Sequence, residues 1–176
     1  MKNKKLEKLV IAVTAIFIIA AVLFVFGEKI FNGKTIPKTD STVMAEATGT
    51  TNEIKKKTVV EQDFINTTDT ISKLGIVFSR LSYKEGITMC LELLDGDKIL
   101  ASTTLDSAQV EEQHRTYIEP ATKLSGMKDK KLTFRIYAVD NEEDTGLVIM
   151  MNKDADTTFR FGGKDIKGTL CFSVTE

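Results

Sequence analysis

Tryptophan is absent from this 176-residue chain, histidine occurs once and cysteine twice. Each scarcity closes a route. The one histidine, His114 in EEQHRTY, has no Ser or Cys motif around it, so a nucleophile would lack a companion base. Two cysteines and one distant histidine cannot supply a tetrahedral zinc site. A G-x-S-x-G elbow and a Walker-type phosphate loop are missing too. The 25 acidic residues show no spacing that singles out a glycosidase pair. A formal net charge of -1 and a pI near 6.0 leave no basic field for a phosphate backbone, so nucleic acid is not an expected partner. The expectation is a chain without catalysis and without a cofactor.

What is present is unevenly spread. Leu9 to Phe26 reads LVIAVTAIFIIAAVLFVF, an uncharged run that as a helix would span about 27 Å against a hydrocarbon core of about 30 Å. Lys2, Lys4, Lys5 and Lys8 precede it with only Glu7 opposing, whereas Glu28 and Lys29 cancel beyond it. The positive-inside rule then predicts a cytoplasmic basic tail at 1–8, a transmembrane helix at 9–27 and an external remainder, which makes a single-pass protein of the cell membrane. A cleaved signal peptide is the alternative. The run exceeds the h-region length of about 7 to 15 residues, and FGEKIFNGK offers no A-x-A-like cleavage site. Residues 28–58, rich in Thr, Ser, Gly and Lys and without apolar periodicity, read as a flexible linker.

From residue 59 the text changes to about eight short alternating runs: VVEQDFI (59–65), ISKLGIVFSR (71–80), GITMCLELL (86–94), KILASTTLD (98–106), HRTYIEP (114–120), KLTFRIYAV (131–139), LVIMMNK (147–153) and GTLCFSVT (168–175). Turn-forming clusters separate them, with a short helix expected in SAQVEEQ and an irregular approach in GGKDIK. This pattern predicts an external all-β domain over 59–176. In the third run Ile87, Met89, Leu91 and Leu93 would face a core, leaving Thr88, Cys90 and Glu92 on the wet side. The turn DNEEDTG at 140–146 alternates Asp140, Glu142 and Asp144 like a calcium loop, but its glycine falls one place late for an EF-hand, and a solvated turn is the expectation.

The order Gln62, Phe64, then GIVFSR with Gly75, Phe78 and Arg80, then Gly86, LELLDGDKILAS and Pro120 resembles a jelly-roll β-sandwich ectodomain. The resemblance covers Val59 to Glu176. Such domains resemble carbohydrate-binding modules and occur beside membrane segments in low-GC Gram-positive bacteria, often with polysaccharide-assembly or glycosyltransferase proteins. This chain departs from a glycosyltransferase in having one transmembrane segment and no catalytic domain. The resemblance implies that the first, eighth, third and sixth runs share one sheet and the second, seventh, fourth and fifth the other. The third and eighth runs would then be neighbours, with Cys90 directly across from Cys171 at disulfide distance. Two unrelated exposed thiols are the alternative.

On the second implied sheet, Val77, Leu100, Val148 and Met150 fall at outward positions and would form an apolar binding face, unless loops or the linker cover it. Tyr83, Tyr117 and Tyr137 are the candidate sugar-contact aromatics in the absence of tryptophan. These features point to a membrane-anchored extracellular binding module, with cell-envelope glycan as the expected ligand. The alternative is a non-catalytic protein-interaction subunit of a membrane or cell-envelope complex.

Overall fold

The computed structural model describes residue 36, residues 38–139 and residues 144–176. The predicted basic tail and transmembrane helix lie outside the described residues, as do Asp140 and Glu142 of the acidic turn. Among the described residues no helix is long and apolar enough to cross a membrane.

The described chain is all-β, with strands β1 (Gly49–Thr50), β2 (Val59–Ile65), β3 (Thr70–Ile71), β4 (Lys73–Arg80), β5 (Thr88–Asp95), β6 (Lys98–Asp106), β7 (Arg115–Ile118), β8 (Leu124–Ser125), β9 (Lys131–Ala138), β10 (Leu147–Asn152), β11 (Thr158–Phe161), β12 (Lys164–Lys167), β13 (Thr169–Leu170) and β14 (Phe172–Thr175). One sheet runs β1-β10-β4-β14, with β13 on β10 and β7 on β4. The other runs β12-β11-β2-β9-β5-β6, and β3 pairs with β8 as a short ribbon. Every described pairing is antiparallel.

Period-2 patterning explains the core. Leu74, Ile76 and Phe78 of β4 and Ile149 of β10 meet Met89, Leu91 and Leu93 of β5 and Phe134 and Ile136 of β9 in one buried cluster. Each such side chain contributes roughly 1.5–3 kcal/mol by leaving water. Phe64 of β2, Phe134 of β9 and Phe172 of β14 close one end of this core across the two sheets. The Phe64–Phe172 and Phe134–Phe172 ring centroids are both 4.9 Å apart.

The sheet allocation differs from the one implied by the resemblance. β6 lies beside β5, and the eighth run, split into β13 and β14, lies on β10 and β4. The reason is local. Asp95 pairs with Lys98, so only Gly96 and Asp97 join β5 to β6, with Gly96 at φ 58°. A two-residue hairpin keeps its strands about 5 Å apart and cannot carry the chain to a second sheet about 10 Å away.

Two further differences follow from backbone hydrogen bonding. The segment 38–58, expected to be linker, is folded onto the domain: Thr48 and Thr51 N–H groups donate to Met151 and Ile149 carbonyls, Ile54 N–H donates to Leu147 O, and Ile54 is fully buried. The irregular approach GGKDIK is instead part of the β11–β12 hairpin, turned at Gly162 and Gly163 with φ 57° and 78°. Two consecutive positive φ values are what a tight hairpin of this twist demands, and glycine adopts them without strain. The expected short helix reduces to one 3₁₀ turn, Ser107–Gln109, capped by Asp106 through a 2.8 Å bond from Ala108 N–H.

Candidate functional site

Cys90 and Cys171 are free and buried, Cys90 on β5 of one sheet and Cys171 between β13 and β14 of the other. Cys90 faces Thr104 and Tyr137 on its neighbouring strands, whereas the Cys171 backbone bonds Met150 and Val77, so the expected cross-strand pairing does not occur. Burial pushes the Cys171 thiol up to about 11.

The expected apolar face is likewise dispersed. Leu100 is on β6 in the sheet opposite Val77, Val148 and Met150, and Val148 is only 2% exposed. Val77 and Met150 are half-buried. Val148 does point away from the main core cluster, so its parity was legible even though its exposure was not.

The three tyrosines do not converge. Tyr83, 65% exposed, donates to Glu85 and lies beside the Arg80 guanidinium. Tyr117 sits on β7 with Lys73 Nζ 4.3 Å above its ring, packed where Gly75 leaves room. Tyr137, on the opposite sheet, donates to Glu92 Oε1 at 3.2 Å. Its phenol is raised by hydrogen bonding to Cys90, by burial and by the nearby Cys90 and Glu92 charges. His114 is exposed beside Glu111 and Glu112. Asp144, the described acidic member of the 140–146 turn, pairs with Lys55.

The outer face of the β9 sheet carries a row that the sequence reading did not identify. Register aligns Asp165, Arg160, Glu61, Arg135, Glu92 and Ser102 across five strand pairings. Arg160 Nε donates to Glu61 at 2.8 Å, and Arg135 Nε to Glu92 at 2.9 Å. Glu92 is 5% exposed yet also accepts from Tyr137 and, at 3.9 Å, from the Cys90 thiol. Burial pulls Asp63 upward, but bonds from Thr133 and Lys131 and the charges of Lys131 and Arg160 outweigh it and hold its carboxyl below the ordinary range. Each arginine of the row stands between two carboxylates, and this alternation of sign between directly opposed residues stabilises the pairing.

A different environment lies at the end closed by the phenylalanines. A cleft of about 640 Å³ is walled by residues 39–41 and 43–45, by Phe64 and Ile65, by 155–157 and by Thr169, Leu170 and Phe172. Two buried amides position its walls. Gln62 joins the sheets by accepting from Leu170 N–H at 3.1 Å and donating to Thr158 O at 3.4 Å. Asn66 accepts from the Ser41 hydroxyl at 3.0 Å and donates to the Thr68 and Met127 carbonyls. Ser41 in turn accepts Val174 N–H on its carbonyl at 2.7 Å, which fixes the N-terminal segment as a wall.

The lining is mostly apolar, with Val43 67% exposed at the rim, and its charged members are Asp40 and Asp156. It contains neither His nor Cys. A sequence signal for it was weak, because its residues come from four separate segments, and one of these has the composition of a linker. No known family model matches the chain, and neither does any curated protein or solved structure.

Proposed function

We propose that the chain is a non-catalytic binding module, held at the outer face of a membrane by the apolar run 9–27, and that the phenylalanine-floored cleft is its binding site. The cleft carries the reading: it has the volume of a ligand pocket, an apolar lining and walls held by buried amides. Of the two ligand classes, an apolar segment of a protein partner fits this lining better than a cell-envelope glycan. Sugar hydroxyls need polar partners when buried, at roughly 1–3 kcal/mol for each one left unsatisfied. The Ser41 and Thr157 hydroxyls already donate inward, to Asn66 and Gly168, which leaves the exposed carboxylates Asp40 and Asp156 as the charged polar partners. The Phe64, Ile65, Leu170 and Phe172 side chains offer a buried sugar no polar partner. Tyr83, Tyr117 and Tyr137 lie on separate elements and supply no shared stacking platform.

The test uses the full chain in lipid nanodiscs, titrated with cell-wall oligosaccharides and with apolar peptides, alongside Ala155→Arg and Val43→Asp at the rim. Peptide binding that both substitutions abolish supports the reading. Saturable glycan binding that both leave intact overturns it and returns the glycan module to first place, with its face elsewhere.

A further inference from the structure

The charges lining the cleft are all of one sign. Several carboxylates elsewhere on the described surface meet cations: Asp63 meets Lys131 and Arg160, Asp95 meets Lys130, Asp129 meets Lys38, and Asp144 meets Lys55. The cleft lining holds Asp40 and Asp156 and no Lys, Arg or His. Asp40 Oδ1 accepts from Thr42 N–H at 3.0 Å, the Thr42 hydroxyl at 2.8 Å and the Thr67 hydroxyl at 3.1 Å. These three donors orient the carboxylate while no donor among the described residues engages Oδ2. Asp156 is exposed, with no bonded side-chain partner among the described residues.

Resting on the cleft reading above, we infer that the natural occupant is a polypeptide segment that sets an apolar side chain on the Phe64, Leu170 and Phe172 floor and a Lys or Arg against Asp40 and Asp156. Two rim carboxylates with no cation in the lining repel anionic ligands and gain from an incoming positive charge, whereas the apolar floor accounts for the uncharged part of the contact. A neutral apolar segment would leave the two charges partly desolvated and unpaired, which disfavours it relative to a cationic one. Hydrogen bonding from the Thr42 N–H and hydroxyl, then from Thr67, holds Asp40 below the ordinary carboxylate range, so the site keeps this negative charge at and above that range.

The experiment titrates the full chain in nanodiscs of neutral lipid with acetylated, amidated octapeptides that share one apolar centre and differ at a single flanking position: lysine, norleucine or glutamate. The lysine peptide is expected to bind about five- to tenfold more tightly than the norleucine peptide, with glutamate weakest, the scale of two partly exposed ion pairs. Asp40→Asn with Asp156→Asn, checked for native circular dichroism, should erase that ranking, and about 0.5 M salt should compress it. Equal binding of lysine and norleucine peptides, both abolished by Ala155→Arg, overturns the cationic occupant and leaves the cleft reading standing. Absence of binding by all three peptides overturns the cleft reading and this inference together.

Discussion

The outer face of the β9 sheet and the cleft at the phenylalanine end both contain acidic side chains, and they treat them in opposite ways. On the sheet face Glu61, Asp63 and Glu92 each have a cationic partner within hydrogen-bonding reach. At the cleft Asp40 is held by neutral donors, and Asp156 has no described partner. Paired charges on a sheet consolidate its register and leave little for an outside ligand. Unpaired charges beside apolar floor add little to the fold and are available for recognition.

The strongest way to break the comparison is to remove the floor that supports one side of it. Phe64→Ala deletes a ring that both lines the cleft and packs on Phe172, and should cost about 3–5 kcal/mol in urea unfolding, with peptide affinity lost as well. Next comes the sheet row. Glu92→Ala strands Arg135 and Tyr137, and a loss of about 1.5–3 kcal/mol is expected while peptide binding stays unchanged. A smaller effect separates the two regions by pH. Asp63 has a depressed folded-state pKa, so its stabilisation is complete above the unfolded value of about 4 and disappears as pH falls through the lower folded value. Urea midpoints measured from pH 6 to pH 2 should therefore fall less for Asp63→Asn than for the parent. Asp40→Asn with Asp156→Asn should leave the urea midpoint at neutral pH close to the parent's, because both groups are exposed. The smallest expected change is none: with both thiols free, reductant should leave the unfolding midpoint where it was. A bridge across a loop of about 80 residues would have shifted it by roughly 4–5 kcal/mol in the chain-entropy model.

Much of the strand content was legible because it rests on hydrophobic alternation. The runs 59–65 and 98–106 coincide with β2 and β6, and the inward set Leu74, Ile76 and Phe78 is fully buried. Alternation says which side of a sheet a residue occupies but not how deeply its neighbours bury it. Cys90 and Glu92 are on the outer side of β5, as the pattern predicts, yet β9 and β6 flank that strand and leave both nearly inaccessible. The Gly162–Gly163 hairpin carried a readable turn signal that the short flanking strands obscured. The strap at 38–58 had no comparable signal. Its attachment to β10 is made mainly by backbone N–H and C=O groups, which every non-proline residue possesses, and hydropathy does not register them. The cleft was illegible for the same reason, since the strap supplies one of its walls.

That strap also defines a path for mechanical load. Tension entering the described chain at its N-terminal end reaches the Lys38–Asp129 pair and then the bonds of Ser41 to Val174, Asn66 and Thr67 before those at Thr48, Thr51 and Ile54. The contacts loaded first include those that hold the cleft's N-terminal wall, and the inner strand ladders lie behind them. A ligand seated there would share that load, and a pull strong enough to peel the first few residues would release it while both sheets remained intact.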